Sequence, residues 1–328
     1  MEPGTPRGGP VDPLFDPGPP ELQSAGSAWG LGLCQECLGR CFGRLGHGLD
    51  NPERARRLGV ALGRALPDLP TTGCSLCRGL FDRWETWVAR AVAALEGLEG
   101  ARFSCGSRWE PEILAREEWI WAEIGTPHGE SARGAFNREW GKRIEVASGR
   151  TGGREEPDLV LLADLPVGRV EVTVQPLYVR GRYRKLDRTI PQTRWPCRRC
   201  GGAGCDACGG SGKTYPTSVE ELIAAPFLRA TEGSDSRFHG MGREDIDARM
   251  LGRGRPFVLE IRRPKRRTLD LPVLLAEVHR GAEGRVEVLE ARRAGGRDVQ
   301  LVKEASPSKS YRVGVLGDLS EEKVKEAL

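Results

Sequence analysis

Glu244, Asp245 and Asp247 gather three carboxylates within four positions, directly behind Arg243. From Arg237 to Arg267, ten lysines and arginines stand against four acidic residues, so the segment is suited to an anionic ligand. Gly240, Gly242, Gly252 and Gly254 bracket the acidic cluster. Glycine admits positive φ and lets a ligand come close to the backbone. Three chemistries suit this pattern. A solvated turn needs nothing further. A metal-dependent nuclease would use Asp245 and Asp247, with only His239 as a nearby histidine and with arginines competing against a divalent cation. A single carboxylate nucleophile, with an arginine two residues earlier holding the substrate or the displaced neighbour of a flipped base, fits the Arg243 to Asp245 spacing.

A second set of reactive side chains is formed by cysteines. Eight of the ten fall in four C-x2-C pairs, a spacing that argues for metal rather than disulfides. Two such turns complete a four-sulfur zinc site. Cys34 and Cys37 would join Cys74 and Cys77 across a helix-patterned segment, 52–66, with Cys41 near enough to substitute for one ligand. Cys197, Cys200, Cys205 and Cys208 would form a compact second site, in a glycine-rich knuckle with arginines outside. An iron–sulfur cluster is the weaker alternative, because the ferredoxin run C-x2-C-x2-C-x3-C-P is not matched. Residues 197–204 are also similar to one repeat of a zinc-bearing co-chaperone. Cys105 stands alone, as small buried cysteines do.

The elements that must position these groups follow from periodicity. Phe81, Trp84, Trp87, Val88, Ala91 and Leu95 recur at helical spacing and form a core stripe. A second helix is expected over 111–123, then strands over 158–163 and 170–179. Ser218 and Glu221 make a helix-starting capping box. Further strands are expected over 256–262, 285–289, 298–302 and 311–316, and Ser320 caps a last helix. The fold class is therefore α+β.

With 328 residues, 38% hydrophobic and 29% charged, the chain has room for two or three domains. Its first 30 residues, crowded with proline and glycine, read as a disordered leader without signal-peptide character. No run of 18 apolar residues is present to span a bilayer, so a cytoplasmic protein is expected. The net charge of +4 says little, but its distribution says more. From Tyr178 to Cys200, eight basic residues face Asp187 alone and are interleaved with Tyr178, Tyr183 and Trp195. Basic groups neutralise phosphates and aromatic faces stack on bases, so two such runs favour nucleic acid.

The string GREDIDARMLGRGRPFVLEI closely resembles the catalytic loop of the archaeal-type tRNA pseudouridine synthases that modify adjacent uridines in the TΨC loop. LCQECLGRCFGRLGHGL, CRRCGGAGCDACGGSGKTYPTSVEELI and KSYRV agree with it, in order, over roughly residues 30–316. The resemblance implies that Asp245 is the nucleophile that opens the glycosidic bond and that Arg243 helps hold the flipped nucleotide. It further implies that Tyr311 stacks on the target base, and that Arg249 and Arg255 bind substrate. The implied plan is a leader (1–30), a zinc-binding region (31–80), a THUMP-like RNA-binding α+β domain (81–195), a zinc knuckle (196–214) and a partial pseudouridine synthase domain with a mixed sheet (215–328). Structural zinc, no organic cofactor, tRNA as partner and a monomer are expected. Family catalytic domains continue past the tyrosine strand, whereas this chain stops at Leu328. A C-terminally incomplete enzyme is therefore expected, and the rival reading is a non-catalytic zinc-containing tRNA-binding protein.

Overall fold

The computed structural model describes residues 15, 17–306, 308, 310–312, 314 and 320–327. Two compact units emerge. The first runs to Leu177 and adds Ala224–Arg237 and Glu260–Leu274. The second takes Tyr178–Ile223, Phe238–Leu259 and the chain from Leu275 onward.

In the first unit, helices α1 (Pro19–Ala28), α2 (Gln35–Arg40) and α3 (Asn51–Leu62) precede α4 (Trp84–Ala94) and β1 (Arg102–Arg108). Helices α5 (Pro111–Ile124) and α6 (Ala132–Ser148) follow, then β2 (Thr151–Gly152), β3 (Leu159–Asp164) and β4 (Arg169–Val174). The sheet order is β2-β1-β3-β4, with β1 parallel to both neighbours and β3 antiparallel to β4. Local chemistry sets the helix ends. The Asp50 carboxylate accepts from the Glu53 N–H at 2.8 Å to start α3, and Gly63 ends it in the left-handed region. Ser131 and Gly149 do the same for α6.

The aromatic stripe of α4 lies in the core as its spacing requires. Phe136 is central, stacked on Trp84 at 5.3 Å and edge-on to Trp87 and Trp109. The Trp140 indole donates to the Trp87 carbonyl at 3.1 Å, so its one polar atom is satisfied in the interior. Late residues close this unit. The Arg267 guanidinium donates to the Gln175 and Pro176 carbonyls, and its Nε lies 2.8 Å from Asp158 Oδ1. Glu99 accepts from the Arg267 and Thr268 N–H groups.

The second part of the chain contributes β5 (Leu177–Lys185), α7 (Val219–Thr231), β6 (Asp235–Gly240) and β7 (Met250–Arg262). It continues with α8 (Leu271–Ala282), β8 (Val286–Ala294), α9 (Gly296–Glu304) and α10 (Glu321–Ala327). The sheet order is β6-β7-β5-β8, and β5 runs antiparallel to β8 with an irregularity at Arg182/Tyr183. Gly181 is required where these strands crowd. A Cβ there would meet the Glu290 carbonyl at 2.3 Å and the Phe257 ring at 2.9 Å. The Ser218 hydroxyl accepts from the Glu221 N–H at 3.3 Å and donates to the Glu221 carboxylate at 2.8 Å, which supplies the serine half of the expected box at the start of α7.

Three expectations are corrected. Residues 19–28 of the supposed leader form α1, whose Ala25 and Ala28 are fully buried. The single strand over 170–179 is two strands, in different sheets, because Pro176 has no N–H to continue a ladder. Residues 298–302 belong to helix α9, whose start is fixed by Asp298 accepting from the Gly295 N–H at 3.1 Å. The strand expected over 311–316 lies largely outside the described residues; Tyr311 and Arg312 have no regular structure.

Candidate active site and metal centres

The acidic loop joins β6 to β7, and what holds it is buried beneath it. In β5, burial alternates strictly, so Tyr183 and Lys185 share the inward face while Arg182 and Arg184 are half-buried on the other. The Tyr183 hydroxyl reaches both Glu244 carboxylate oxygens, at 2.9 and 3.0 Å. Gln192 donates to the Tyr183 hydroxyl at 2.9 Å, to the Gly242 carbonyl at 3.0 Å and to Glu244 at 3.3 Å. Arg255 Nε lies 2.9 Å from Glu244 Oε2 without aligning its N–H, and Arg255 Nη1 donates to the Met241 carbonyl at 2.6 Å. The Glu244 side chain is only 4% exposed. Burial, and then the Glu244 charge, hold the Tyr183 phenol protonated, so it serves as donor.

Lys185 grips the other side of the loop. Its ammonium donates to the carbonyls of Asp245 at 2.9 Å, Ile246 at 2.7 Å and Ile190 at 3.1 Å, at a position with no solvent exposure. Burial pulls its pKa below the usual lysine range, and the nearby Glu244 opposes that shift. Phe238 and Phe257, stacked at 5.0 Å, wall the Tyr183 ring from both strands. The result is an inverted display in which Glu244 points down into the network while Asp245 is exposed. Among the described residues, no hydrogen bond or ion pair holds the Asp245 carboxylate. Such a carboxylate is free to attack a substrate carbon.

The expected site residues divide in two. Arg243, Asp245 and Arg249 are exposed on the loop, as a substrate-facing role requires. Arg255, expected against substrate, is instead 8% exposed and engaged with Glu244 and Met241. Tyr311 is 81% exposed, and no described contact joins it to the loop. Sequence reasoning missed Tyr183, Lys185, Gln192 and Glu244 as loop supports. The available signal was a lysine in the inward register of an alternating strand, a place where lysine needs carbonyl partners.

Both cysteine clusters assemble. In each, the four sulfurs lie within 4.8 Å of one another. Tetrahedral zinc with Zn–S near 2.3 Å sets its sulfurs about 3.8 Å apart. Cys34 and Cys77 are 3.7 Å apart, Cys205 and Cys208 3.8 Å, and both Cys197–Cys205 and Cys200–Cys208 4.0 Å. Backbone N–H groups also point at sulfur: Cys34 at Cys74, Gly204 at Cys200, and Gly212 at Cys208. The Cys205 N–H first, and the Gly212 N–H after it, bring the Cys208 thiol down to about 6 against desolvation. These donor sets fit structural zinc held by Cys34, Cys37, Cys74 and Cys77, and by Cys197, Cys200, Cys205 and Cys208.

Cys41 is not a substitute ligand. Its thiol donates to the Cys37 carbonyl at 3.2 Å, and burial pushes it up to about 11. Metal analysis of the purified protein should give about two zinc ions per chain. Replacing Cys34 and Cys37 by serine should remove one zinc and unfold the first unit, since structural zinc contributes its binding energy to folding. Two zinc ions retained in that variant would refute the assignment.

Comparisons with known proteins point one way. The family model for the Pus10 C-terminal region matches residues 178–327, and the archaeal Pus10 THUMP domain model matches residues 87–164. The tRNA pseudouridine synthase Pus10 of Methanothrix thermoacetophila is 40% identical over 327 residues, spanning 90% of this chain and 72% of that protein. Its counterpart in Methanothermobacter marburgensis is 44% identical over 285 residues, spanning 86% and 69%. That of Methanocaldococcus jannaschii is 37% identical over 318 residues, spanning 85% and 68%.

Proposed function

We propose that this chain, which belongs to the Pus10 family of tRNA pseudouridine synthases, isomerises uridine to pseudouridine in the TΨC loop of tRNA, with Asp245 as the nucleophile. In this reaction the carbon–nitrogen glycosidic bond breaks, the base turns, and a carbon–carbon bond to the ribose forms while a proton moves from carbon to nitrogen. Nothing is oxidised, reduced or transferred away, so the reaction balances without an organic cofactor. The observation that carries the reading is the loop itself: Tyr183, Gln192, Arg255 and Lys185 hold its backbone and Glu244, and Asp245 is left exposed and unengaged.

Arg243 stands two residues before Asp245 and is exposed; in this reading it holds the nucleotide flipped toward the carboxylate. Flipping costs a few kcal/mol of unstacking, which backbone contacts offset. Arg249 is a second substrate contact, and Tyr311, unengaged by the described residues, stacks on the base. We assign the protein to the cytoplasm, where paired thiols stay reduced for metal. No helix among the described residues is long and apolar enough to cross a membrane.

The test is incubation with an unmodified tRNA transcript followed by mapping of pseudouridine. Formation confined to the TΨC loop supports the reading. Binding without formation would instead favour a non-catalytic tRNA-binding protein.

The basic run over 178–200 contributes less charge to RNA than its composition suggests. Arg180 pairs with Asp298, Arg182 and Arg184 donate to the carbonyls of Gly252, Arg253 and Gly254, and Lys185 is buried. Arg188, Arg194, Arg198 and Arg199 are exposed. Replacing those four by alanine should flatten the slope of log affinity against log salt by about 3–4, at roughly 0.7–0.9 per phosphate neutralised. An unchanged slope would show that tRNA does not meet this face.

A further inference from the structure

Arg40 ends α2, three residues after the metal ligand Cys37, and has no solvent exposure. Burying a guanidinium is costly unless charge and hydrogen bonds compensate. Part of that compensation is visible. Nη1 pairs with the Glu117 carboxylate of α5 and donates to the Glu130 carbonyl at 3.0 Å. Glu117 in turn accepts from the Ala132 N–H at 2.7 Å, at the start of α6. The Glu130 N–H donates to the Arg40 carbonyl at 2.8 Å, so the α2 end and the α5–α6 connection are laced together.

The rest of Arg40 is unexplained by these contacts. Nε and Nη2 are both buried without a hydrogen-bond partner among the described residues. Arg40 follows the ligand Cys37 by three positions in α2, and residues three apart share one face of a helix, so its side chain springs from the cluster side of α2. Four thiolates around a dication carry a double negative charge in a fully buried site. The protein groups that donate to metal-bound ligands orient them and tune the metal.

We infer that Arg40 is the buried counter-charge of the first metal centre, its two unpartnered nitrogens serving the thiolates of the loaded cluster, so that metal occupancy is tied to the packing of α5 and α6. Arg40 is thus a positioning residue with two anionic clients. Glu117 holds it in place, and the cluster gives its remaining donors a purpose. Gly39 shows how tight this corner is: a Cβ there would fall 1.8 Å from the Asn51 carbonyl oxygen, so α2 and α3 meet backbone to backbone behind the cluster.

The test uses the full zinc-loaded chain and two readouts that do not depend on uridine chemistry: zinc transfer to a competing chelator, and the thiolate-to-metal charge-transfer absorption after cobalt substitution. Arg40→Met should weaken the first centre by about 10–100-fold, leave the second unchanged, and shift the charge-transfer band of the first. Arg40→Lys, which keeps the charge but loses the fork of donors, should recover part of that loss. Arg40→Met also strands Glu117, so the double variant with Glu117→Gln removes the ion pair as a unit. It should regain stability but keep the weakened zinc affinity. If the single variant does not fold, the double variant alone decides. A double variant with wild-type zinc affinity overturns the proposal, because Arg40 would then matter only through Glu117. A wild-type chain that loads only the second centre overturns the cluster assignment and the proposal with it.

Discussion

Asp245→Asn should abolish pseudouridine formation, by a factor on the order of 10⁴ or more, while tRNA affinity stays within about twofold. The reason lies in what the side chain does not do. It is exposed and has no described partner, so an amide of the same shape disturbs no packing. The loop is held through the Asp245 backbone carbonyl, which Lys185 grips and the substitution leaves intact. Only nucleophilicity changes. Asp247→Asn is the informative companion, because a two-carboxylate metal mechanism needs both residues whereas a single nucleophile does not. Single-turnover pseudouridine formation and filter binding on the two variants separate the cases. Activity that survives Asp245→Asn removes the nucleophile assignment, and equal loss in both variants would favour a paired-carboxylate mechanism.

Glu244→Gln should be nearly as damaging for a different reason. It leaves the buried Arg255 charge facing a neutral amide among the donors of Tyr183 and Gln192. Removing one partner from a buried ion pair costs about 3–5 kcal/mol. Urea unfolding should register that cost, and the turnover rate should fall more than tRNA affinity, since the loop that aims Asp245 loses its anchor. Replacing Glu244 by Leu and Arg255 by Met together should cost much less stability than the sum of the single changes. That double variant should still turn over poorly, because the loop is no longer tethered to Tyr183. A stable, fully active Glu244→Gln variant would show that the network is incidental.

Much of this was legible in the chain. The cysteine spacing was enough to pair Cys34 and Cys37 with Cys74 and Cys77, because two sharp turns each present two sulfurs whatever the fold around them. The Arg243 to Asp245 spacing likewise singled out two side chains that the fold leaves exposed on the loop. The buried half was hidden for a physical reason. Tyr183 sat among arginines and looked like a base-stacking aromatic, and only strand register shows that it faces inward with Lys185 while Arg182 faces out. Arg255 looked like a substrate contact because charge alone does not say whether an arginine finds its anion in the ligand or in Glu244. The α9 error had a similar source. The short run of Val299, Leu301 and Val302 suits a strand or a helix, and the deciding group was Asp298, whose carboxylate caps the helix start and binds Arg180 and Arg292. In α1, alanine rather than a large apolar residue does the packing, so its buried face carried little hydrophobic signal.

The first unit is assembled from three stretches of sequence, and this governs the order in which the chain can fold as it is made. Its main stretch ends at Leu177, yet Arg267, which binds the Gln175 and Pro176 carbonyls and pairs with Asp158, is added about ninety residues later. At roughly 5–20 residues per second, the nascent unit waits about 5–20 s with those carbonyls unclaimed. The compact second cluster, from Cys197 to Cys208, leaves the ribosome within that interval and can take up its metal before the first unit closes. Metal supply during synthesis therefore acts on an unfinished fold.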